Sequence, residues 1–162
     1  MPATAADPYT ATQRRLHWIT VALVAVQIAL HDGIAQTWDA ATATGDWSVT
    51  FGAGLHFAVG SAILLTMGLR WLLRQENPPA PAPAPKWSQR VSRAVHLGFY
   101  IILILLPVTG GLAWGGRSEG LGLVHEGLRA ALIVLIAAHV GGVLVHSFVW
   151  KDGLIRRMWG GT

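Results

Sequence analysis

The chain has 162 residues, of which 52% are hydrophobic and 12% charged, with a formal net charge of +4 and a mean hydropathy of +0.46. This composition excludes an ordinary soluble domain and indicates an integral membrane protein. Cysteine is absent, which excludes disulfides, thiolate-held iron–sulfur clusters and a covalently attached c-type haem.

Apolar stretches of about 20 residues, the length that crosses a bilayer core, predict four membrane spans. They cover about 15–35, 51–73, 92–114 and 122–149. The fourth is longer than a perpendicular helix requires, so we expect it to tilt or to reach into the headgroups. The alternating prolines of 77–86 predict an extended cytoplasmic linker. The sequence therefore predicts one domain, 1–162, folded as an all-α, four-helix up-and-down membrane bundle.

The cationic residues predict the orientation of this bundle. Ten of the twelve Lys and Arg flank the spans on one side, namely Arg14, Arg15, Arg70, Arg74, Lys86, Arg90, Arg93, Lys151, Arg156 and Arg157. The positive-inside rule makes that side cytoplasmic, so we expect both termini in the cytoplasm. The opposite face carries Asp32, Asp39, Asp46 and Glu119 against Arg117 and is acidic on balance. Because the basic residues flank spans, they indicate topology and not binding to nucleic acid.

Four histidines lie inside the apolar stretches: His17, His56, His125 and His139. An imidazole in hydrocarbon is costly and needs a partner, and a haem iron can bind two neutral imidazoles from opposite sides. His125 and His139 lie about 21 Å apart along one helix and nearly four whole turns apart, so they share a face at two depths. This spacing predicts two stacked haems. From depth and helical phase, the expected iron ligands are His17 with His139 and His56 with His125.

Helix geometry leaves two alternatives to these pairs. His31 also lies fourteen residues from His17 and could pair with His125, but it begins a polar stretch, whereas His56 is surrounded by apolar and small residues. His146 matches the depth of His17 better than His139 does. A His125 and His146 arrangement would separate the two irons by about 31 Å, which is too far for efficient electron transfer, so His56 and His139 are preferred.

The remaining polar groups near the cytoplasmic ends of the spans are candidate quinone or haem-propionate contacts: His146, His96, Arg70 and Arg74. His146 lies two turns beyond His139 and nearly in phase with it, so we expect it below the inner haem, where it suits a quinone carbonyl and its protons. The two arginines are equally typical of headgroup anchors. Small residues near the histidines either make room for macrocycles or serve ordinary helix packing; they are Gly54, Gly60, Gly110, Gly111, Ala137, Gly141 and Gly142.

Five segments of the chain resemble the bacterial cytochrome b561 family. They are RRLHW at 14–18, GLHFAVG at 54–60, HLGFYIILILLPVTG at 96–110, VHE at 124–126 and AAHVGGVLVHSFVWKDGLIRRM at 137–158. The family is related to the dihaem cytochrome b subunits of hydrogenases and formate dehydrogenases. The resemblance implies haem ligands at His17, His56, His125 and His139, in agreement with the pairs predicted above. It also implies quinone contact at His146.

The resemblance implies a multi-pass protein of the bacterial inner membrane that passes electrons through two b haems between the periplasmic face and the quinone pool. Similarity to family members that oxidise superoxide suggests a superoxide:ubiquinone oxidoreductase. The acidic outer face opposes this activity, because positive potential is what steers an anionic substrate.

The alternative is a membrane-anchor subunit that links a periplasmic dehydrogenase or a basic cytochrome c to quinone, since an acidic surface suits a basic partner. The predicted outer loops of about fifteen and about eight residues offer such a partner little docking surface. A third reading, a proton relay or metal path in a haem-free transporter, is disfavoured by the in-phase histidines and by the resemblance.

Overall fold

The computed structural model describes residues 9–79, 84–153 and 155–159. All regular structure in these ranges is helical, as the composition predicts. The elements in chain order are α1 (Ala11–Ala29), α2 (His31–Thr44), α3 (Phe51–Glu76), α4 (Lys86–Gly116), α5 (Glu119–Leu144), a π-helical segment (Val145–Trp150) and the short α6 (Arg156–Trp159).

Within the described ranges, three continuous helices are long and apolar enough to cross a membrane. They are α3, α4 and the run Glu119–Trp150, which joins α5 to the π-helical segment. The pair α1 and α2 meets the same criteria together, although it is bent by 48°. Counting the bent pair as one crossing gives the four spans of the predicted bundle.

The first span differs from the prediction of one helix over 15–35. The helix α1 ends at Ala29, and α2 leaves at the bend after Leu30. Asp32 is favourable in the first turn of a new helix, and Gly33 is a poor residue for continuing an old one. The rest of α2 is too polar to lie well in hydrocarbon, so the chain turns away instead of extending the span.

The other boundaries also move. The helix α4 begins at Lys86, six residues before the predicted 92, so Lys86 belongs to the helix and not to the linker. Of the predicted linker, residues 80–83 lie outside the described residues, and 77–79 and 84–85 are non-helical. The surplus length of the fourth span lies in the π-helical segment that follows α5.

Hydroxyl side chains cap three of the helices. The Thr10 hydroxyl accepts from the Gln13 backbone while the Gln13 side chain accepts from the Thr10 backbone, a capping box that begins α1. Thr50 and Ser118 accept backbone N–H groups at the starts of α3 and α5. Only two residues separate α4 from α5, Arg117 in a left-handed conformation (φ 51°) and Ser118. The second outer loop is therefore two residues long and not about eight.

The helices pack in the sequence α1 on α3, α3 on α4 and α4 on α5, with α2 also against α3. A buried cluster joins the three central helices through Ile63 and Met67 of α3, Tyr100 and Leu103 of α4, and Leu132 of α5. The backbones of α1 and α3 make little contact with that of α5 in the described residues. The predicted ligand pairs face each other across these gaps, His17 with His139 and His56 with His125.

The two ends of the bundle differ in charge. At one end, the Gln13 side chain donates to the Leu73 carbonyl (3.1 Å), and the Trp87 and Trp150 rings lie 5.8 Å apart. These contacts bring together the start of α1, the end of α3, the start of α4 and the end of the π-helical segment, where the basic residues lie. We call this the basic end, and the end with α2 and the α4–α5 connection the acidic end.

Candidate cofactor site

The structure brings the four half-buried histidines together in the two predicted pairs. His17 of α1 faces His139 of α5, with ring centres 6.5 Å apart and ring planes at 59°. His56 of α3 faces His125 of α5, with ring centres 6.3 Å apart and planes at 65°. The first pair lies towards the basic end and the second towards the acidic end, so α5 contributes one imidazole to each.

These distances fit imidazoles that bind one metal from opposite sides. With metal–nitrogen bonds of about 2.0 Å, two such rings have their centres about 6.3 Å apart. Both pairs match this value within 0.2 Å. Direct stacking or hydrogen bonding between the rings would bring them closer. The spacing of each pair therefore fits a haem iron that would be held by both imidazoles.

The hydrogen bonds of His125 leave one of its nitrogens available to a metal. Its Nδ1 lies 3.0 Å from the Leu106 carbonyl oxygen. Because a carbonyl can only accept, Nδ1 carries the proton and Nε2 keeps its lone pair. Gly110, one turn along α4 from Leu106, makes the approach possible, since a Cβ at this position would lie 2.9 Å from Cε1 of the His125 ring.

His56 is held through its backbone and not through its ring. The Gln27 side-chain nitrogen donates to the His56 carbonyl at 3.1 Å. Nδ1 of His56 and Oε1 of Gln27 are both buried and have no hydrogen-bond partner among the described residues. A metal on Nε2 would place the proton on Nδ1, and this buried amide oxygen is a nearby acceptor of the kind that orients ligand histidines.

A cavity of about 750 Å³ adjoins the His56 and His125 pair. Its volume is in the range of sites that enclose a cofactor. The walls include Gly60, Pro107 and Gly111, and also His31 of α2. His31, the alternative ligand, therefore faces the same cavity as the preferred pair.

The helix α2 and an aromatic cluster cover the acidic end of the cavity. Trp38 of α2, Trp47, Phe57 and Trp114 form this cluster, with neighbouring ring centres 5.2 to 6.2 Å apart. The first outer connection is thus largely a packed helix and not the loop of about fifteen residues that we expected. Trp114, near the end of α4, lies within the cluster.

The charged residues at this end are mostly acidic. Glu126 and Arg129, one turn apart on α5, form an ion pair that lines the cavity together with Asp39 and Glu119. Because Glu126 neutralises Arg129, this arginine contributes little net positive potential to the mouth of the cavity.

The basic-end pair is packed by two residues of α4. The rings of His96 and Phe99 lie edge-on to His139, at 5.3 and 5.4 Å between ring centres. His96 and His139 are too close to bind one iron from opposite sides, so His17 is the better partner. The Ser92 carbonyl accepts from His96 Nδ1 at 2.6 Å, which leaves Nε2 of His96 unprotonated.

Arg70 of α3 lies beside this pair. Two of its guanidinium nitrogens, Nε and NH1, are buried and have no hydrogen-bond partner among the described residues. Arg74, one turn further along α3, is partly buried at the basic end.

His146 lies on the π-helical segment, beyond the basic-end pair. Its Nδ1 approaches the Asp152 carboxylate (2.5 Å), its Nε2 lies 3.4 Å from the Ser88 hydroxyl, and its ring packs on Trp150 at 4.5 Å. The left-handed conformation of Lys151 (φ 52°) turns the chain back and brings Asp152 to the ring. π-Helical segments often mark functional sites.

Sequence reasoning did not identify three of these contacts: Gln27, Asp152 and the Glu126–Arg129 pair. The spacing of Glu126 and Arg129 is a recognisable i,i+3 pair. Gln27 contacts a neighbouring helix, and Asp152 reaches His146 through a turn. Helical periodicity reveals neither contact.

Comparison with known proteins agrees with this geometry. Residues 8–161 match the model of the family described as prokaryotic cytochrome b561. Cytochrome b561 homolog 1 of Escherichia coli is 27% identical, over 93% of this chain and 96% of that protein. Cytochrome b562 of Cereibacter sphaeroides and the probable superoxide oxidase CybB of Yersinia pestis are each 28% identical, over 93% of this chain and 94% of each relative.

The family match covers nearly the whole chain, including all the predicted spans and every histidine discussed above. The chain therefore belongs to the prokaryotic cytochrome b561 family, whose members are multi-pass bacterial inner-membrane proteins that bind haem b and transfer electrons.

Proposed function

We propose that this protein carries electrons across the membrane through two b haems, between the periplasmic face and the quinone pool. The observation that carries the proposal is the presence of two facing imidazole pairs, with ring centres 6.3 and 6.5 Å apart. His56 and His125 would hold one haem, and His17 and His139 the other. Bound haem supplies one-electron chemistry, because its iron changes oxidation state while both imidazoles stay in place.

The protein contributes placement to this chemistry. Since α5 provides His125 and His139 about 21 Å apart along its axis, the two sites lie one above the other across the bilayer. The positive-inside rule puts the basic end in the cytoplasm and so puts the His56 and His125 site near the periplasm. The aromatic cluster and α2 pack over the outer end of the periplasmic site.

The quinone site of this proposal lies at the basic end, next to His146. The Asp152 carboxylate orients the imidazole through Nδ1, and the partly buried Ser88 hydroxyl faces Nε2. A histidine held in this way presents one nitrogen for hydrogen bonding to a quinone oxygen and for proton exchange with it. Ubiquinone is the expected quinone.

The electron donor has two candidates, each favoured by a separate observation. The relative named a probable superoxide oxidase favours superoxide and hence a superoxide:ubiquinone oxidoreductase. The acidic mouth of the periplasmic cavity, in which Arg129 is paired with Glu126, favours a basic redox protein. In that case the chain is a membrane-anchor subunit for a periplasmic dehydrogenase or a cytochrome c.

Two experiments test the proposal. Adding ubiquinol to the purified, oxidised protein should produce the absorption bands of reduced haem b. If these bands do not appear, the proposal is refuted. Stopped-flow mixing with superoxide in the presence of excess ubiquinone separates the donors. Haem reduction that outruns the spontaneous dismutation of superoxide supports the enzyme, whereas reduction far slower than dismutation assigns the chain to the anchor class.

A further inference from the structure

Arg70 is a half-buried cation without an anion. In the described residues it makes no ion pair with Asp or Glu. Nε and NH1 remain buried and unpaired. A desolvated guanidinium with two unused donors is strongly unfavourable unless an acceptor occupies the adjacent space.

The location of Arg70 indicates which acceptor this is. The next residue, Trp71, packs on Tyr100 at 5.3 Å, and the neighbour of Tyr100, Phe99, packs on His139 at 5.4 Å. Arg70 therefore lies at the level of the basic-end pair. A haem held between His17 and His139 would carry two propionate carboxylates. The planar, forked donor set of an arginine matches a carboxylate in both geometry and charge.

We propose that Arg70 binds a propionate carboxylate of the haem held by His17 and His139. The inference rests on the proposed function, because it requires a haem at this pair. A quinone carbonyl is a poorer partner, since it is neutral and would leave the buried charge of Arg70 uncompensated. A carboxylate satisfies both the donors and the charge.

The pairing predicts an effect on the haem itself. A cation beside the haem favours the reduced form, which carries one positive charge fewer. Replacing Arg70 by Gln should therefore lower the midpoint potential of the basic-end haem. We expect at least a tenfold change in its one-electron reduction equilibrium, about 59 mV, while the potential of the acidic-end haem stays close to the wild-type value.

The test is a potentiometric titration of purified wild type, Arg70→Gln, Arg70→Lys and the control Arg93→Gln, followed in the visible spectrum. Arg93→Gln removes the same charge at the same end of the bundle, but the Arg93 side chain is exposed. Arg70→Lys keeps the positive charge but lacks the forked donor set of arginine. It should shift the midpoint potential of the basic-end haem less than Arg70→Gln does. Selective loss of the basic-end haem in Arg70→Gln, with helical content and the acidic-end haem retained, would also support the pairing.

Infrared difference spectra between the oxidised and reduced protein add a readout that identifies the carboxylate. With haem labelled by carbon-13 in its propionate carboxyl groups, the labelled bands should shift in Arg70→Gln and stay unchanged in Arg93→Gln. If Arg70→Gln keeps wild-type potentials and propionate bands, the inference is refuted. A raised KM for ubiquinol in that same variant would then assign Arg70 to the quinone. A wild-type protein without haem would instead refute the proposed function.

Discussion

Gly110 offers a sharp test of how the acidic-end site is built. An alanine Cβ here would lie 2.9 Å from Cε1 and 3.0 Å from Nδ1 of His125. Carbon atoms pack comfortably at about 3.5 Å or more, so the imidazole would have to move by about 0.5 Å, the tolerance within which a functional site must be held. The same movement would strain the 3.0 Å hydrogen bond from Nδ1 to the Leu106 carbonyl.

We expect Gly110→Ala to weaken haem binding at the acidic end by about tenfold to a hundredfold, the usual effect of disturbing the groups that orient a metal ligand. This corresponds to about 1.4 to 2.8 kcal/mol. Helix propensity works in the opposite direction, because alanine favours a helix over glycine by about 1 kcal/mol. A loss of binding would therefore come from the displaced ring and not from a weaker helix.

The assay is titration of haem into the apoprotein, with haem per chain measured as the pyridine haemochrome. Gly115→Ala is the matched control, since Gly115 also lies in α4 and a Cβ there meets no atom within 4 Å. The reasoning is refuted if Gly110→Ala and Gly115→Ala bind haem equally well and with the same spectra.

Three further variants test the remaining contacts. His56→Ala should leave one haem per chain by pyridine haemochrome, while His31→Ala should keep two; retention of both haems in His56→Ala would transfer the ligand role to His31. Gln27→Met removes the bond to the His56 carbonyl and should lower the affinity of the acidic-end haem about tenfold; an unchanged haem titration would exclude this support. His146→Ala should keep both haems but lose most ubiquinone reduction, and Asp152→Asn should lose less; normal turnover in His146→Ala would remove it from the quinone site.

The helical periodicity of the sequence carried most of the information about the site. The fourteen-residue spacing of His125 and His139 predicts one face at two depths, and the structure places a histidine opposite each of them. This prediction succeeds because the distance and angle between two residues of one helix depend only on their separation in the sequence. The apolar stretches likewise predict four crossings, since hydrocarbon selects for length and hydropathy.

The features that periodicity missed depend on contacts between distant segments. The polar residues after Leu30 indicate a change in environment. They do not indicate that α2 lies at 48° to α1 and packs over the cavity at the acidic end. Arg70 resembles a headgroup anchor in the sequence, and only the packing of α3 against α4 shows that its guanidinium is buried. Asp152 reaches His146 through a left-handed turn that no pattern predicts.

The central claim is that one chain of this family holds two haems, each between two histidines. The most direct measurement is the ratio of haem b to polypeptide in the purified protein, from the pyridine haemochrome and amino-acid analysis. We predict two haems per chain. The ratio should fall to one when either histidine of one pair is replaced by alanine. A ratio of one in the wild type, or a ratio of two that survives replacement of both His56 and His125, would contradict it.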